Sequence, residues 1–165
     1  MTSITRRRPG IPSDYGIAED EAGMLDWSEV AATLSAAPIF WVSTVTPNGG
    51  PHLVPIWGAF TSDVAYIEGG GMTRWARNLA GSDDRIHLGI DHGGMQVMVR
   101  GTAVRTEVES GIQAAIADQY EAKYPYRPAG NEFWGVSPAA VLAWKTDDLE
   151  SFASTPTQFD FGAPA

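Results

Sequence analysis

Side chains able to do chemistry are few in this chain and widely spaced. It contains no cysteine, which removes thiolate catalysis, Cys-ligated zinc and disulfides together. The three histidines, His52, His87 and His92, show neither i,i+4 spacing nor an HExxH pattern. Bringing all three to one metal would require separate strands to converge, so no metal site is expected. His87 falls inside an apolar run and reads as a core or interface imidazole, and His92 falls in a turn. His52 opens an apolar run and is the histidine best placed for function, against a structural role. No serine sits in a GxSxG elbow. The adjacent carboxylates Asp83-Asp84 and Asp147-Asp148 lie in loop-like stretches beside charge and suit solvated turns. No residue announces itself as a nucleophile or general base, so an enzyme built on this chain would draw its reactive centre from an organic cofactor.

The most informative local feature is Gly69-Gly70-Gly71 followed by Met72-Thr73-Arg74. The glycines end one apolar run, Thr73 is placed to cap a helix over Thr73–Ala80, and Arg74 and Arg77 lie in its first turns. One phosphate could meet two guanidiniums and a helix end there. The alternative is a surface helix with solvated arginines. The spacing is neither GxGxxG nor a P-loop, so a dinucleotide fold and a nucleotide triphosphatase are both rejected.

The elements that must position these residues are the apolar runs between Ile39 and Arg105, separated by PNGG, TSD, a Gly-rich bend with the Thr73–Ala80 helix, and HGG. Val, Ile, Thr and aromatic residues dominate the runs, and Asn48-Gly49 is a strong hairpin signal. Pro51 and Pro55 in the second run demand an edge or a bulge. A helix opens at Asp26, with Glu29 at capping-box spacing, and ends at Pro38. Another spans Glu109 to about Tyr124. The stretch PYRPAGNEF reads as a loop, AVLAWKT as a strand, and STPTQFDF as a short terminal strand. The expected fold is mainly β (α+β): a six-or-so-stranded antiparallel split barrel with peripheral helices. Residues 1–25 read as an extended arm and 26–165 as a single domain.

Composition bounds the partners. The net charge of −9 argues against a general nucleic-acid surface, and Arg6-Arg7-Arg8 is the one basic run. No stretch approaches the roughly 20 apolar residues of a membrane span. The absence of cysteine fits a cytoplasmic setting. Trp41, Trp57 and strands that are apolar on both faces exceed what one small barrel can hide, which predicts a homodimer.

The order of WVSTVTPNGGPHLVPIWGAF (41–60), VAYIEGGG (64–71), TRWARNLAG (73–81), RIHLGID (85–91) and VMVRGTAVR (97–105) resembles the pyridoxamine 5'-phosphate oxidase-like split-barrel superfamily. The segments IPSDYGI, LDWSEV, EAKYPYRP, VLAWKTDD and STPTQFDF resemble its actinobacterial, deazaflavin-type branch. The resemblance implies a homodimer binding FMN or the deazaflavin F420, with a slight preference for F420, and sites between the subunits. It places the cofactor ring against Val54, Pro55, Ile56 and Trp57, and Glu68 and Gly69 near the tail or phosphate. Thr73, Arg74, Arg77 and Asn78 fall on the family's Ser-Arg-Lys-x-Arg-Asn-Leu pattern. Trp75 stands where that pattern has Lys. Either another Arg compensates, or a different cofactor tail is held, or cofactor binding has been lost.

Three functions follow. The first is a flavin- or F420-dependent oxidoreductase transferring a hydride to or from a small conjugated or aromatic substrate, with His52 and Tyr66 as candidate proton donors. The second is a non-catalytic binder of flavin, haem or tetrapyrrole on the same dimer. In the third, Trp57 and Trp75 fill the cofactor slot and the protein is structural.

Overall fold

The computed structural model describes residues 3–81 and 84–162. Ser82 and Asp83 of the acidic pair considered above, and the ends of the arm and of the domain (1–2 and 163–165), lie outside the described residues.

Helix α1 (Trp27–Ala36) buries Val30 and Leu34 and stops two residues before Pro38. Asp26 occupies its N-cap position but makes no side-chain cap bond; its carboxylate accepts from Arg6 Nη1 at 2.6 Å instead. The expected capping box with Glu29 therefore does not form. Strands β2 (Phe40–Val45) and β3 (Pro51–Ile56) make the hairpin announced by Asn48-Gly49, with Gly49 at φ +82°. Within the sheet β3 pairs only with β2, and this free edge is what tolerates Pro51 and Pro55. The chain bends at Trp57 into β4 (Gly58–Thr61), then turns through Ser62 and Asp63, at φ 52° and 59°, into β5 (Val64–Ile67). Two consecutive positive-φ residues are the hairpin geometry that matches strand twist. Helix α2 (Arg74–Leu79) follows, then β6 (Arg85–His92) and β7 (Met95–Glu107), joined at Gly93-Gly94. Helix α3 (Ser110–Lys123), β8 (Glu132–Lys145), α4 (Leu149–Ser154) and β9 (Thr157–Phe161) complete the order.

All pairings are antiparallel. The ladder runs β2–β6–β7–β8–β5–β4; β4 continues back into β3, and β3 returns to β2. Counting β3 and β4 as one bent strand, six walls close on themselves. The barrel class is the expected one, and the nine described strands exceed six because β3/β4 is divided and two strands lie outside the wall. Strand β8 serves both parts. Trp134 and Val136 pair with β5, whereas Ala140–Ala143 pair with β9. The change of partner coincides with a register shift at Arg100/Gly101, opposite Pro138 and Ala140. A Cβ at Gly101 would run into the Ser137 carbonyl oxygen, so the bulge requires glycine there.

Within the stretch 1–25, Ile4–Arg7 form a strand, β1, paired with β9. Two further sequence expectations are corrected. The loop expected over PYRPAGNEF ends early, since β8 already begins at Glu132 and passes through Gly135 and Pro138 by means of the bulge. The short helix α4 was not expected.

Two apolar clusters hold the layers. The barrel interior contains Phe40, Val42, Ile67, Leu88, Val97 and Val141. A smaller cluster between α3 and the outer face of β4/β5 contains Ala59, Tyr66, Ile116, Tyr120 and Phe133. Among the described residues no helix is long and apolar enough to cross a membrane.

Candidate functional site

The residues around α2 carry the polar groups that the fold leaves open. Thr73 caps the helix as predicted: its Oγ1 accepts from the Ala76 N–H at 3.4 Å and donates to the Gly70 carbonyl at 3.0 Å. The helix has only six residues, so its dipole contributes less to anion binding than the sequence suggested. Arg74 and Arg77 are exposed, and neither makes a hydrogen bond or ion pair among the described residues. Asn78, one turn after Arg74 on the same helix face, is buried and donates from Nδ2 to Thr44 Oγ1 at 2.9 Å. Thr44 lies directly opposite His52 in the β2–β3 ladder. His52 Nδ1 is buried without a hydrogen-bond partner among the described residues, a costly condition for a polar atom. Asn78 and Thr44 are thus joined across α2 and β2, His52 stands opposite Thr44 in the ladder, and Arg74 lies one turn before Asn78 on α2.

Trp75 faces the other way. It is buried, stands edge-on to Trp134 with ring centroids 5.9 Å apart, and lies so close to Gly69 that a Cβ there would collide with it. It is a core residue, and the glycine it covers is required by it. Trp57, by contrast, is 43 % exposed and stacked on Tyr124. The slot that Trp57 and Trp75 were expected to fill together is therefore not formed.

Along β3 the pleat divides the expected ring contacts. Val54 and Ile56 pack on the barrel core, while Pro55 and Trp57 are exposed. The free edge of β3 leaves main-chain groups without a sheet partner. Glu68, just past β5, accepts from the Tyr126 hydroxyl at 3.2 Å. Its carboxylate therefore sits with the aromatic group around Trp57, a poor neighbour for a phosphate. Tyr66 packs beneath α3, edge-on to Phe133 at 6.4 Å, and burial raises its phenol pKa. It belongs to the outer cluster, whereas His52 belongs with α2.

Sequence reasoning missed Thr44, whose hydroxyl is identified only by the ladder register. It also missed Arg105, whose guanidinium reaches the Gly71 bend while pairing with Glu132 at 2.7 Å. A further feature invisible in the sequence is a row across five strands. Pro55, Trp41, Gly89, Met98 and Leu142 are successive partners on β3, β2, β6, β7 and β8. Trp41 and Met98 in that row are nearly half exposed.

Solved structures share this architecture. A conserved hypothetical protein from Mycobacterium tuberculosis matches with 18% identity and a TM-score of 0.64, over 79% of this chain and 90% of its own. A heme binding protein from Mycobacterium smegmatis matches with 19% identity and a TM-score of 0.61, over 79% of this chain and 62% of its own. An F420 reductase matches with 19% identity and a TM-score of 0.53, over 67% of this chain and 93% of its own. At these identities the likeness is one of fold. No curated protein matches the sequence. The family profile described as pyridoxamine 5'-phosphate oxidase matches residues 27–145, the stretch from the first turn of α1 to the end of β8. By that match the chain belongs to the pyridoxamine 5'-phosphate oxidase family.

Proposed function

We propose that the protein is a flavin- or deazaflavin-dependent oxidoreductase, with F420 slightly preferred over FMN, acting on a small conjugated or aromatic substrate. The observation that carries this reading is the set of polar groups at α2 with no protein partner: the Arg74 and Arg77 guanidiniums and the buried His52 Nδ1. In a family built to hold a phosphate-bearing ring, these are the groups expected to hold its phosphate. The bound ring would supply the two-electron chemistry. Arg74 would neutralise the phosphate, and Asn78, fixed by Thr44, would set the position of the helix face that carries Arg74. His52, with one nitrogen shielded and unpaired, is suited to donate to the same anion. Pro55 and the free edge of β3 would support the ring and exclude water from one face of it. With the family's Lys position taken by a core tryptophan, Arg105 beside Gly71 is the compensating cation.

The homodimer belongs to the same reading. The row from Pro55 to Leu142 gives a flat apolar strip that a second copy would cover, and light scattering at micromolar concentration should return twice the chain mass. Cytoplasmic placement is part of it too, resting on the cysteine-free composition.

A second reading, a non-catalytic binder of flavin, haem or tetrapyrrole, is favoured by Trp75, which removes one phosphate-binding cation. Titrating the apo-protein with FMN, F420 and haem, followed by absorbance and fluorescence, separates the two. Tight binding of FMN or F420, with substrate-dependent bleaching or recovery of its absorbance, supports the oxidoreductase. Saturable binding of haem alone, or of any of the three without turnover, selects the second.

A further inference from the structure

Next to β3 the molecule holds an aromatic platform around Trp57, which the family resemblance set beside the cofactor ring but which the roles proposed above do not use. Trp57 stacks on Tyr124 with ring centroids 4.4 Å apart and planes 9° from parallel. The Tyr120 hydroxyl donates to the Trp57 carbonyl at 3.1 Å, and the Tyr124 hydroxyl donates to the Pro38 carbonyl at 2.7 Å while accepting from the Gly58 N–H at 3.1 Å. Both backbone and ring of Trp57 are thus fixed. Tyr124 covers one face of the indole, yet 43 % of Trp57 remains exposed, so the open surface is its other face and edge. Tyr126, also 43 % exposed, lies 6.5 Å from Trp57 with a 37° tilt, and its hydroxyl donates to Glu68 at 3.2 Å. Arg127, the next residue, is turned to Asp118 and Glu121 at 2.8 and 2.6 Å. The open side of the platform therefore presents two aromatic rings and one carboxylate, while Lys123 Nζ, 5.6 Å from the Tyr124 ring centroid, is held by the carbonyls of Ser35, Ala37 and Gly58.

We propose that this platform is a binding site for an organic ammonium ion. The cation would lie over the free face of Trp57, with Tyr126 at its flank and Glu68 as its counter-ion. Indole is the strongest side-chain partner for a cation. A ring already locked by stacking and hydrogen bonds loses little freedom on binding. The overall charge of −9 favours approach of a cation. An anion would meet Glu68 with nothing to offset it, and a neutral ring would gain the stacking but not the charge. The chain itself joins Trp57 to Pro55 and Ile56, so a cation held here lies at the end of the strand assigned to the cofactor ring. Its binding needs no cofactor, which allows the two to be tested separately.

The test uses the full chain, without and with added FMN or F420, and three probes that share one phenyl ring and differ in charge: benzyltrimethylammonium, benzyl alcohol and benzenesulfonate. Binding is read from the Trp57 indole N–H signal by NMR, assigned by its loss in Trp57→Phe. Benzyltrimethylammonium should shift that signal saturably, with an affinity about tenfold above either other probe. Glu68→Gln should weaken it about three- to tenfold while leaving benzyl alcohol unchanged. Trp57→Phe, read from the probe's own signals, should weaken it about threefold, and this variant keeps a ring to stack on Tyr124. Equal affinities for the three probes, or no effect of Glu68→Gln, would overturn the site. Cofactor binding is followed by its own absorbance in the same samples, so loss of one activity does not obscure the other.

Discussion

Helices α3 and α2 both pack on the barrel wall, and they treat their polar groups in opposite ways. At α3 every polar side chain that faces the barrel is satisfied. Lys123 Nζ donates to the carbonyls of Gly58, Ser35 and Ala37 at 2.6, 3.1 and 3.2 Å. Gln119 pairs with both the N–H and the carbonyl of Phe60 at 2.9 and 2.8 Å. Tyr120 and Tyr124 bind the carbonyls of Trp57 and Pro38. At α2 Asn78 and the Thr73 cap are tied down, while Arg74, Arg77 and His52 Nδ1 have no partner among the described residues. Folding favours pairing of every polar group it shields. The α3 junction does what stability asks, and the α2 junction leaves groups open that the reading proposed above assigns to a cofactor phosphate.

The largest expected effect tests which side of that division Trp75 belongs to. Trp75→Lys restores the family's lysine by sequence, but in this structure it removes a core ring and leaves an ammonium against Gly69 and Trp134. It should cost about 4 kcal/mol or more in unfolding free energy, measured by urea denaturation. A stable variant with raised FMN affinity would move Trp75 to the open side. Next comes Lys123→Met, which leaves three carbonyls without their shared donor. A loss of about 2–3 kcal/mol is expected, seen as a fall of about 4–12 °C in Tm. Cofactor affinity should not change, and if it did, the satisfied clasp would no longer be purely structural.

How far the sequence could foresee this division follows from what periodicity and turns encode. The hairpins were legible because Asn48-Gly49, Ser62-Asp63 and Gly93-Gly94 are local signals, each needing only its own backbone geometry. The edge placement of β3 was legible from Pro51 and Pro55. Strand β8 was obscured because Gly135 and Pro138 look like breakers, and only the distant Gly101 allows the bulge that carries them. The same limit applies to the site. Arg74 and Asn78 were visible as a pattern, but Thr44 enters through a ladder register and the orphaned His52 Nδ1 through packing. Trp75 was seen as a tryptophan standing at the family's Lys position; its burial depends on the missing side chain of Gly69, six residues away.

A smaller effect distinguishes the two arginines within the open region. Arg74 shares a helix face with Asn78, which is anchored beside His52, whereas Arg77 is turned about a quarter of the circumference from Asn78. Arg74→Ala should weaken FMN or F420 binding by roughly 1.5–3 kcal/mol, on the order of ten- to a hundredfold, through loss of a charge-assisted contact. Arg77→Ala should change it only a few-fold. The difference should vanish with riboflavin, which has no phosphate to hold. Equal losses for both variants would mean that the anion lies across the helix end, and no loss in either would remove α2 from the cofactor site.

The smallest effect is a pH dependence that belongs to the satisfied region alone. Burial lowers the Lys123 ammonium to about 8 from its model-compound value of 10.5. Between those values the unfolded chain keeps the proton that the native protein has released. The unfolded state then binds more protons, so this group's contribution to stability rises with pH over that interval. Because the side chain is partly solvated, the rise should stay well below 1 kcal/mol. Burial acts on Tyr66, Tyr120 and Tyr124 with the opposite outcome. Their phenols are raised above 10.0, so above pH 10 the native state retains protons that the unfolded chain loses, and stability falls. Urea midpoints should therefore hold or climb slightly from pH 8 to 10 and drop beyond it. Lys123→Met should lack the climb and keep the drop, since the tyrosines are untouched. A climb no larger in the wild type than in Lys123→Met would mean that the three carbonyls hold the Lys123 proton against desolvation, making the ammonium form the one that the α3 junction is built around.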